Sequence, residues 1–183
     1  MVFFLNVFMS SRRSLLMELL AEIGNSDIGV APLPTKYRVR KAARAVLQDG
    51  DAIALLHVSE RGYHKLPGGG LETGEGVHDA LLREIREETG CIAQRLDDIG
   101  IVIEYRDDFG VLQISYCFRA RVLERGLATQ RTKKERNLGF EVVWTTLNDA
   151  IDIIERDRPD DYEGLFITRR DALILRATHS MTR

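Results

Sequence analysis

Apolar residues gather in short runs between polar turns along the middle of the chain, a pattern typical of β-strands. The stretch "RKAARAVLQDGDAIALLHV" has two such runs joined at Asp49–Gly50, a strong hairpin signal. The stretch "IGIVIEYRDDFGVLQISYCFRARV" predicts a second hairpin that turns near residues 108–110. Its second strand alternates between two faces, one with Leu112, Ile114, Tyr116 and Phe118 and the other with Gln113, Ser115 and Cys117.

The apolar spacing changes to three and four residues between Val77 and Thr89, which predicts an amphipathic helix. Gly90 follows it, as expected for a left-handed helix cap. Downstream, "FEVVWTTL" predicts another strand, and residues 147–154 and 165–177 predict two further helices. Strands with interspersed helices indicate an α/β protein, a mixed β-sheet between two helical layers.

The first 35 residues differ from the rest of the chain in their predicted structure. Residues 15–23 predict a helix that ends at Gly24, and "NSDIGVAPLP" resembles a linker. We therefore predict a helical extension and linker over residues 1–35 and the main domain over residues 36–183, with deletion of residues 1–25 leaving that domain folded. The extension is also a candidate dimer element. Its apolar start is too short to span a bilayer and lacks the features of a secretory signal, so no membrane partner is expected.

Composition narrows the classes of function. The chain has 183 residues and a net charge of −2, so no basic surface for a nucleic-acid polymer is indicated. Its two cysteines are too few for a disulfide scaffold or a zinc site, which favours a cytoplasmic location. The basic run "RTKKER", residues 131–136, is interpreted as a solvated loop, with contact to phosphate as the alternative.

Three glutamates share the C-terminal half of the predicted helix. On a helical wheel, Glu84 and Glu88 fall between Val77 and Leu81, inside the apolar stripe, and Glu87 lies beside them. Each like-charged pair costs about 0.2–0.5 kcal/mol, and the helix C-terminus disfavours anions further. Carboxylates that point inward despite this cost suggest a hard cation, Mg²⁺ or alternatively Mn²⁺.

A known pattern accounts for this spacing. Gly69, five residues, Glu75, seven residues and then "REIREETG" to Gly90 resemble the Nudix box, which ends here at Cys91. Cys91 is the one departure, because the family usually has an aliphatic residue there, and cysteine packs as a small hydrophobe. The preceding "LPGG" is also typical of the family.

The resemblance implies a Nudix-type α/β/α sandwich and hydrolysis of a nucleoside diphosphate linked to another group. It also implies that the carboxylates of Glu84, Glu87 and Glu88 and the carbonyl of Gly69 bind Mg²⁺. Glu84, or a carboxylate nearby, would help to deprotonate the attacking water.

The resemblance assigns supporting roles as well. Arg83 would orient the glutamates, and Glu75 would support the junction of loop and helix. Family members often add a downstream glutamate as a ligand. Glu141 is the candidate here, and a structural surface role is the alternative.

The substrate is less defined. Gly68 and Gly70 would let main chain approach a phosphate closely, and Arg44 shares a strand face with Arg38 and Arg40 that meets either phosphate or solvent. A nucleoside triphosphate such as 8-oxo-dGTP, or another nucleoside diphosphate derivative, is expected. ADP-ribose is an alternative that "EYRDDFG" disfavours, because it lacks the proline often found there. The other alternative is a nucleotide sensor without catalysis, although sensors commonly lose box glutamates.

Overall fold

The computed structural model describes residues 17–181. Seven strands and four α-helices form within these residues, joined by short 3₁₀ turns. In chain order they are β1 (Leu19–Ile23), β2 (Arg38–Asp49), β3 (Ala52–Val58), β4 (Tyr63–Lys65), α1 (Val77–Thr89), β5 (Ile92–Arg106), β6 (Val111–Glu124), α2 (Lys133–Asn137), β7 (Phe140–Thr146), α3 (Leu147–Arg156) and α4 (Tyr162–Met181).

All seven strands belong to one mixed sheet. Six of them follow the order β1-β5-β6-β2-β3-β4, and β7 pairs with β3 along its whole length. The β1–β5 and β2–β6 pairs are parallel, and the remaining pairs are antiparallel. The two predicted hairpins are β2–β3 and β5–β6, with the second turning at Asp107–Phe109. The predicted mixed sheet is therefore confirmed.

Helices cover both faces of this sheet. On one face, Leu81 and Ile85 of α1 pack against small residues of β2 and β3, among them Ala45 and Ala54. On the opposite face, α3 and α4 pack on the apolar side chains of β2, β3 and β5. The alanines let α1 approach the sheet closely, which brings its C-terminal half beside the loop that follows β4. The three layers confirm the α/β/α sandwich.

Helix α1 has the predicted bounds. It begins after Gly76 and ends at Gly90, whose φ of 67° is left-handed and whose N–H donates to the carbonyl of Arg86 at 3.0 Å. A Cβ at Gly90 would overlap the carbonyl oxygen of Leu127. Glycine is thus required at this position both by the backbone conformation and by the close approach of the chain.

The helix predicted over residues 15–23 is wrong where the structure describes it, because Leu19–Ile23 is strand β1. This strand pairs in parallel with β5, and Ile23 is 1% exposed in the core. Residues 1–16 lie outside the described part. The following Asn25 is buried, donates to the carbonyl of Ala31 at 3.0 Å and accepts from the Tyr162 hydroxyl at 2.5 Å. The division at residue 35 stays a prediction, but hydrogen bonds cross it.

Two other regions differ from the expectations, and strand β6 adds a feature on which no expectation was stated. The basic run contains the short helix α2, capped by Thr132 and Glu135, instead of a plain loop. Helix α4 is longer at both ends than the predicted 165–177. On β6, the polar face with Gln113 and Ser115 is fully buried. Between residues 17 and 181, no helix combines the length and apolarity needed to cross a bilayer.

Candidate active site

A cavity of about 250 Å³ opens between α1, the glycine-rich loop and the start of α4. Glu84 and Glu88 line it from α1, and Gly68, Gly69 and Gly70 line it from the loop. Cationic side chains complete the wall, namely Arg40, Arg44, Lys65, Arg106, Lys134 and Arg170. The cavity is therefore strongly polar, with carboxylates and cations close together.

The helical wheel placed two glutamates inward, and both are buried in the structure. Glu84 is 8% exposed and Glu88 is 1% exposed. Glu88 accepts hydrogen bonds from the Gly68 N–H at 2.7 Å and from Lys65 Nζ at 2.9 Å. The ammonium of Lys65 also lies over the Phe140 ring, 4.6 Å from its centroid. Glu88 thus holds the loop against the helix in addition to facing the cavity.

Arg83 connects the loop to three carboxylates. Its guanidinium donates to both oxygens of Glu75 at 2.8 and 2.9 Å, to Glu84 at 2.9 Å and to Glu87 at 3.1 Å. It also donates to the carbonyl of Gly70 at 3.0 Å. The bidentate contact lowers the pKa of Glu75 to about 2, and the contacts with the acids raise the pKa of Arg83. Arg83 therefore sets the position of Glu84 relative to the loop.

Glu84 has an unfavourable electrostatic environment. Burial is the largest cause that raises the pKa of its carboxyl, and the charge of Glu88 raises it further. Arg83 and Arg44 act in the opposite direction without cancelling the effect. Two buried carboxylates that repel each other in one cavity gain stability when a cation binds between them.

The glycines bring the loop close to both α1 and β2. A Cβ at Gly69 would lie within 2.5 Å of both carboxylate oxygens of Glu84. Gly68 has a φ of 134°, and a Cβ there would overlap the carbonyl oxygen of Ala43. The Ala43 N–H donates to the Gly69 carbonyl at 3.0 Å, which ties the loop to β2. The loop backbone is thus fixed beside the glutamates.

The residues at the cavity suit Mg²⁺ in type, since Glu84, Glu88 and the Gly69 carbonyl are all hard oxygen donors. Mg²⁺ is usually held by one or two carboxylates together with water and substrate phosphate, so two buried carboxylates suffice. Within residues 17–181, no three His, Cys, Asp or Glu side chains converge as a ready-made metal cluster. Glu87 is half-buried, is held by Arg83 and does not line the cavity.

Glu141 is not brought to this site. It is exposed on β7, opposite His57 of β3, and its neighbour Phe140 lines the cavity instead. Alternation along a strand sends adjacent side chains to opposite faces, so Phe140 and Glu141 cannot both face the cavity. We therefore leave Glu141 out of the proposed ligand set.

Sequence reasoning missed several cavity residues. Arg106 ends β5 and Arg170 lies in α4, and both are buried there with Glu104 and Asp171. The Leu66 N–H donates to Asp171 at 2.8 Å, which links this group to the loop. The sequence signal that could have indicated this buried polar group was the polar face of β6. On that face, Gln113 donates to Glu104 at 2.5 Å. Polar residues that alternate on a central strand imply buried partners.

Comparisons with known proteins bear on the family of this chain. The model of the NUDIX domain matches residues 38–165. A Bacillus subtilis (strain 168) protein described as an uncharacterized Nudix hydrolase, YvcI, is 44% identical over 52 residues, which are 28% of this chain. The match spans only a third, 33%, of that relative's length.

Solved structures share the fold. A NUDIX hydrolase from Nitrosomonas europaea matches with a TM-score of 0.61 and 19% identity, over 80% of this chain and 92% of that one. A MutT protein from Methanosarcina mazei Go1 matches with a TM-score of 0.57 and 19% identity, over 82% and 100% of the two chains. Together with the family match over most of the chain, the box and the sandwich show that this protein belongs to the Nudix family.

Proposed function

We propose that the protein is a Mg²⁺-dependent pyrophosphohydrolase that cleaves the diphosphate linkage of a small nucleotide. One observation carries the proposal, namely the buried pair Glu84 and Glu88 in a cavity that cationic side chains also line. A diphosphate is polyanionic, so its site needs positive charge on the phosphate oxygens and an acceptor for the proton of the attacking water. The cavity has residues suited to both tasks.

Each residue has a distinct task in this proposal. Glu84, Glu88 and the Gly69 carbonyl would hold Mg²⁺, which would neutralise phosphate charge and lower the pKa of water when bound. Glu84 accepts a proton from the water that attacks phosphorus, as the bond to the bridging oxygen breaks. The raised pKa of Glu84 is the direction that makes a carboxylate a better base.

Positioning falls to the residues around this pair. Arg83 fixes Glu84 and Glu87 from outside the cavity, and Glu75 fixes Arg83. Glu87 contacts Arg83 and does not line the cavity, so we give it a supporting role through charge. Lys65 holds Glu88 in place and adds positive charge to the wall.

A screen of nucleotides tests this proposal. Nucleoside triphosphates, including 8-oxo-dGTP, ADP-ribose and dinucleoside polyphosphates are incubated with the protein and either MgCl₂, MnCl₂ or a chelator, and the products are separated chromatographically. We expect metal-dependent release of a nucleoside monophosphate from at least one compound. Tight binding of a nucleotide with no cleavage under any of these conditions would instead support the sensor.

A further inference from the structure

Four arginines gather on the cavity wall next to the glutamates. Arg40 and Arg44 come from β2, Arg106 from the end of β5 and Arg170 from α4. Arg44, Arg106 and Arg170 are 6%, 5% and 1% exposed, and Arg40 is half-buried. Buried guanidinium groups are normally paired with carboxylates, because an unpaired buried charge is costly.

Within residues 17–181, two of these arginines have carboxylate partners. Glu104 accepts from Arg106 at 2.8 Å and lies 3.5 Å from Arg170, and Asp171 accepts from Arg170 at 2.7 Å. The half-exposed Glu163 is a third acid, 3.8 Å from Arg106. These acids compensate the charges of Arg106 and Arg170.

Arg40 and Arg44 have no ion pair with any residue of the described part of the chain. Arg40 donates to the neutral side chain of Gln113. Among the described residues, Arg44 donates only to the carbonyl of Ala43, at 3.2 Å, and its buried Nε has no hydrogen-bond partner there. Burial is the largest cause that lowers the pKa of Arg44 to about 10, followed by the charge of Arg170, and the charges of Asp171 and Glu104 oppose this only in part. The wall therefore lacks an anion at this point.

The two unpaired arginines adjoin the proposed catalytic loop. A Cβ at Gly70 would lie 2.9 Å from Nη2 of Arg40, and a Cβ at Gly68 would lie 3.0 Å from Cα of Arg44. The cavity, at about 250 Å³, is smaller than the ~300–1,000 Å³ of sites that enclose a whole small ligand. A cavity of this size and polarity suits phosphate groups better than a nucleoside.

We propose that Arg40 and Arg44 form a second anion site, which binds a phosphate group additional to the diphosphate held at Glu84 and Glu88. The planar guanidinium fork matches phosphate oxygens in a bidentate manner. The inference rests on the proposed function and makes it more specific. It assigns the substrate to compounds with at least three phosphate groups in reach of the cavity, rather than to a nucleoside diphosphate joined to an uncharged group.

Calorimetry with inorganic tripolyphosphate tests the site without catalysis. The full-length protein is titrated in a chelator, so that no divalent ion contributes. We expect the wild type to bind tripolyphosphate, and Arg44→Met to raise its Kd at least tenfold. The matched control is Arg119→Met, because Arg119 lies on β6 outside the cavity and also has a buried Nε without a partner. The control should change Kd less than twofold.

Thermal stability separates a binding role from a structural one. Without ligand, Arg44→Met should melt at the same temperature as the wild type or higher, because it removes an unpaired buried charge. Arg40→Gln, at a half-buried position, provides a second variant with the same expected loss of binding. A lower melting temperature for Arg44→Met, or unchanged tripolyphosphate binding in both variants, would overturn the assignment.

A kinetic comparison distinguishes the two proposals. We expect the wild type to prefer a nucleoside triphosphate over the diphosphate of the same nucleoside in kcat/KM, and Arg44→Met to reduce that preference at least tenfold. Glu84-dependent hydrolysis with no dependence on Arg44 would leave the proposed function intact and refute the second anion site. Arg44-dependent binding of tripolyphosphate without hydrolysis of any nucleotide would support the second anion site and refute the proposed function.

Discussion

We expect Gly69→Ala, although it adds only one methyl group, to lower kcat strongly. The added Cβ would lie within 2.5 Å of both oxygens of the Glu84 carboxylate, whereas ordinary contacts begin at 3.4 Å. The carboxylate must therefore retreat by about 1 Å. Gly69 does not have a positive φ, so alanine adds no backbone strain at this position. The perturbation is confined to the contact between the loop and Glu84.

The magnitude follows from this displacement. A misplacement of ~1 Å in a catalytic geometry can cost about 10²-fold in rate, which corresponds to roughly 2.7 kcal/mol of barrier. Overpacking of this kind costs about 1–3 kcal/mol of stability, so the variant should remain folded. We therefore expect kcat to fall by about two orders of magnitude with modest loss of stability.

Steady-state kinetics with the best nucleotide and saturating Mg²⁺ measures the effect. Gly24→Ala is the matched control, because its Cβ would have no neighbour closer than 3.9 Å among residues 17–181 and its φ of −113° is open to alanine. The control should retain the wild-type kcat. A Gly69→Ala protein that is folded and turns over within threefold of wild type would refute the role of this contact.

Three further predictions concern stability. Glu75→Gln should have a lower free energy of unfolding in urea than wild type near neutral pH. This difference should vanish as pH falls from about 4.5 towards 2, because the lowered pKa of Glu75 means that only its ionised form stabilises the fold. A constant difference across this range would contradict the prediction. Deleting residues 1–25 should destabilise the protein by at least about 1.5 kcal/mol, since burial of Ile23 alone contributes ~1.5–3 kcal/mol. An unchanged melting temperature would count against a role for β1. Arg170→Met should lower the free energy of unfolding in urea by roughly 3–5 kcal/mol, because Glu104 and Asp171 lose a buried partner. An unchanged free energy of unfolding would refute a stabilising role for this network.

Local periodicity was sufficient to predict α1 and the inward direction of two glutamates. The helical wheel of α1 depends only on residues within four positions of each other. The apolar stripe of that wheel is the side that packs on the sheet, so the direction of its side chains follows from local sequence. Strand β1 shows the limit of this reasoning. Residues 15–23 are mostly good helix formers, but Leu19–Ile23 pairs with β5, about eighty residues later, and that pairing overrides propensity.

Residues distant in sequence explain the incomplete prediction of the cavity. Arg40, Glu104 and Gln113 meet because their strands are neighbours in the sheet, and Arg170 joins them from a helix near the end of the chain. For Glu141, a shift of one residue in the strand decides whether it or Phe140 faces the cavity. The pairing of strands across the whole sheet fixes which residue faces the cavity, so the sequence of β7 alone does not reveal it.

The central claim is that Glu84 acts in metal-dependent hydrolysis of a nucleotide. Its most direct test is kcat of Glu84→Gln against the best nucleotide, together with the melting temperature of the metal-free variant. We predict a loss in kcat of at least about tenfold, equivalent to roughly 1.4 kcal/mol, with equal or higher stability because a buried repulsive charge is removed. A variant that hydrolyses the nucleotide as fast as wild type would contradict the account.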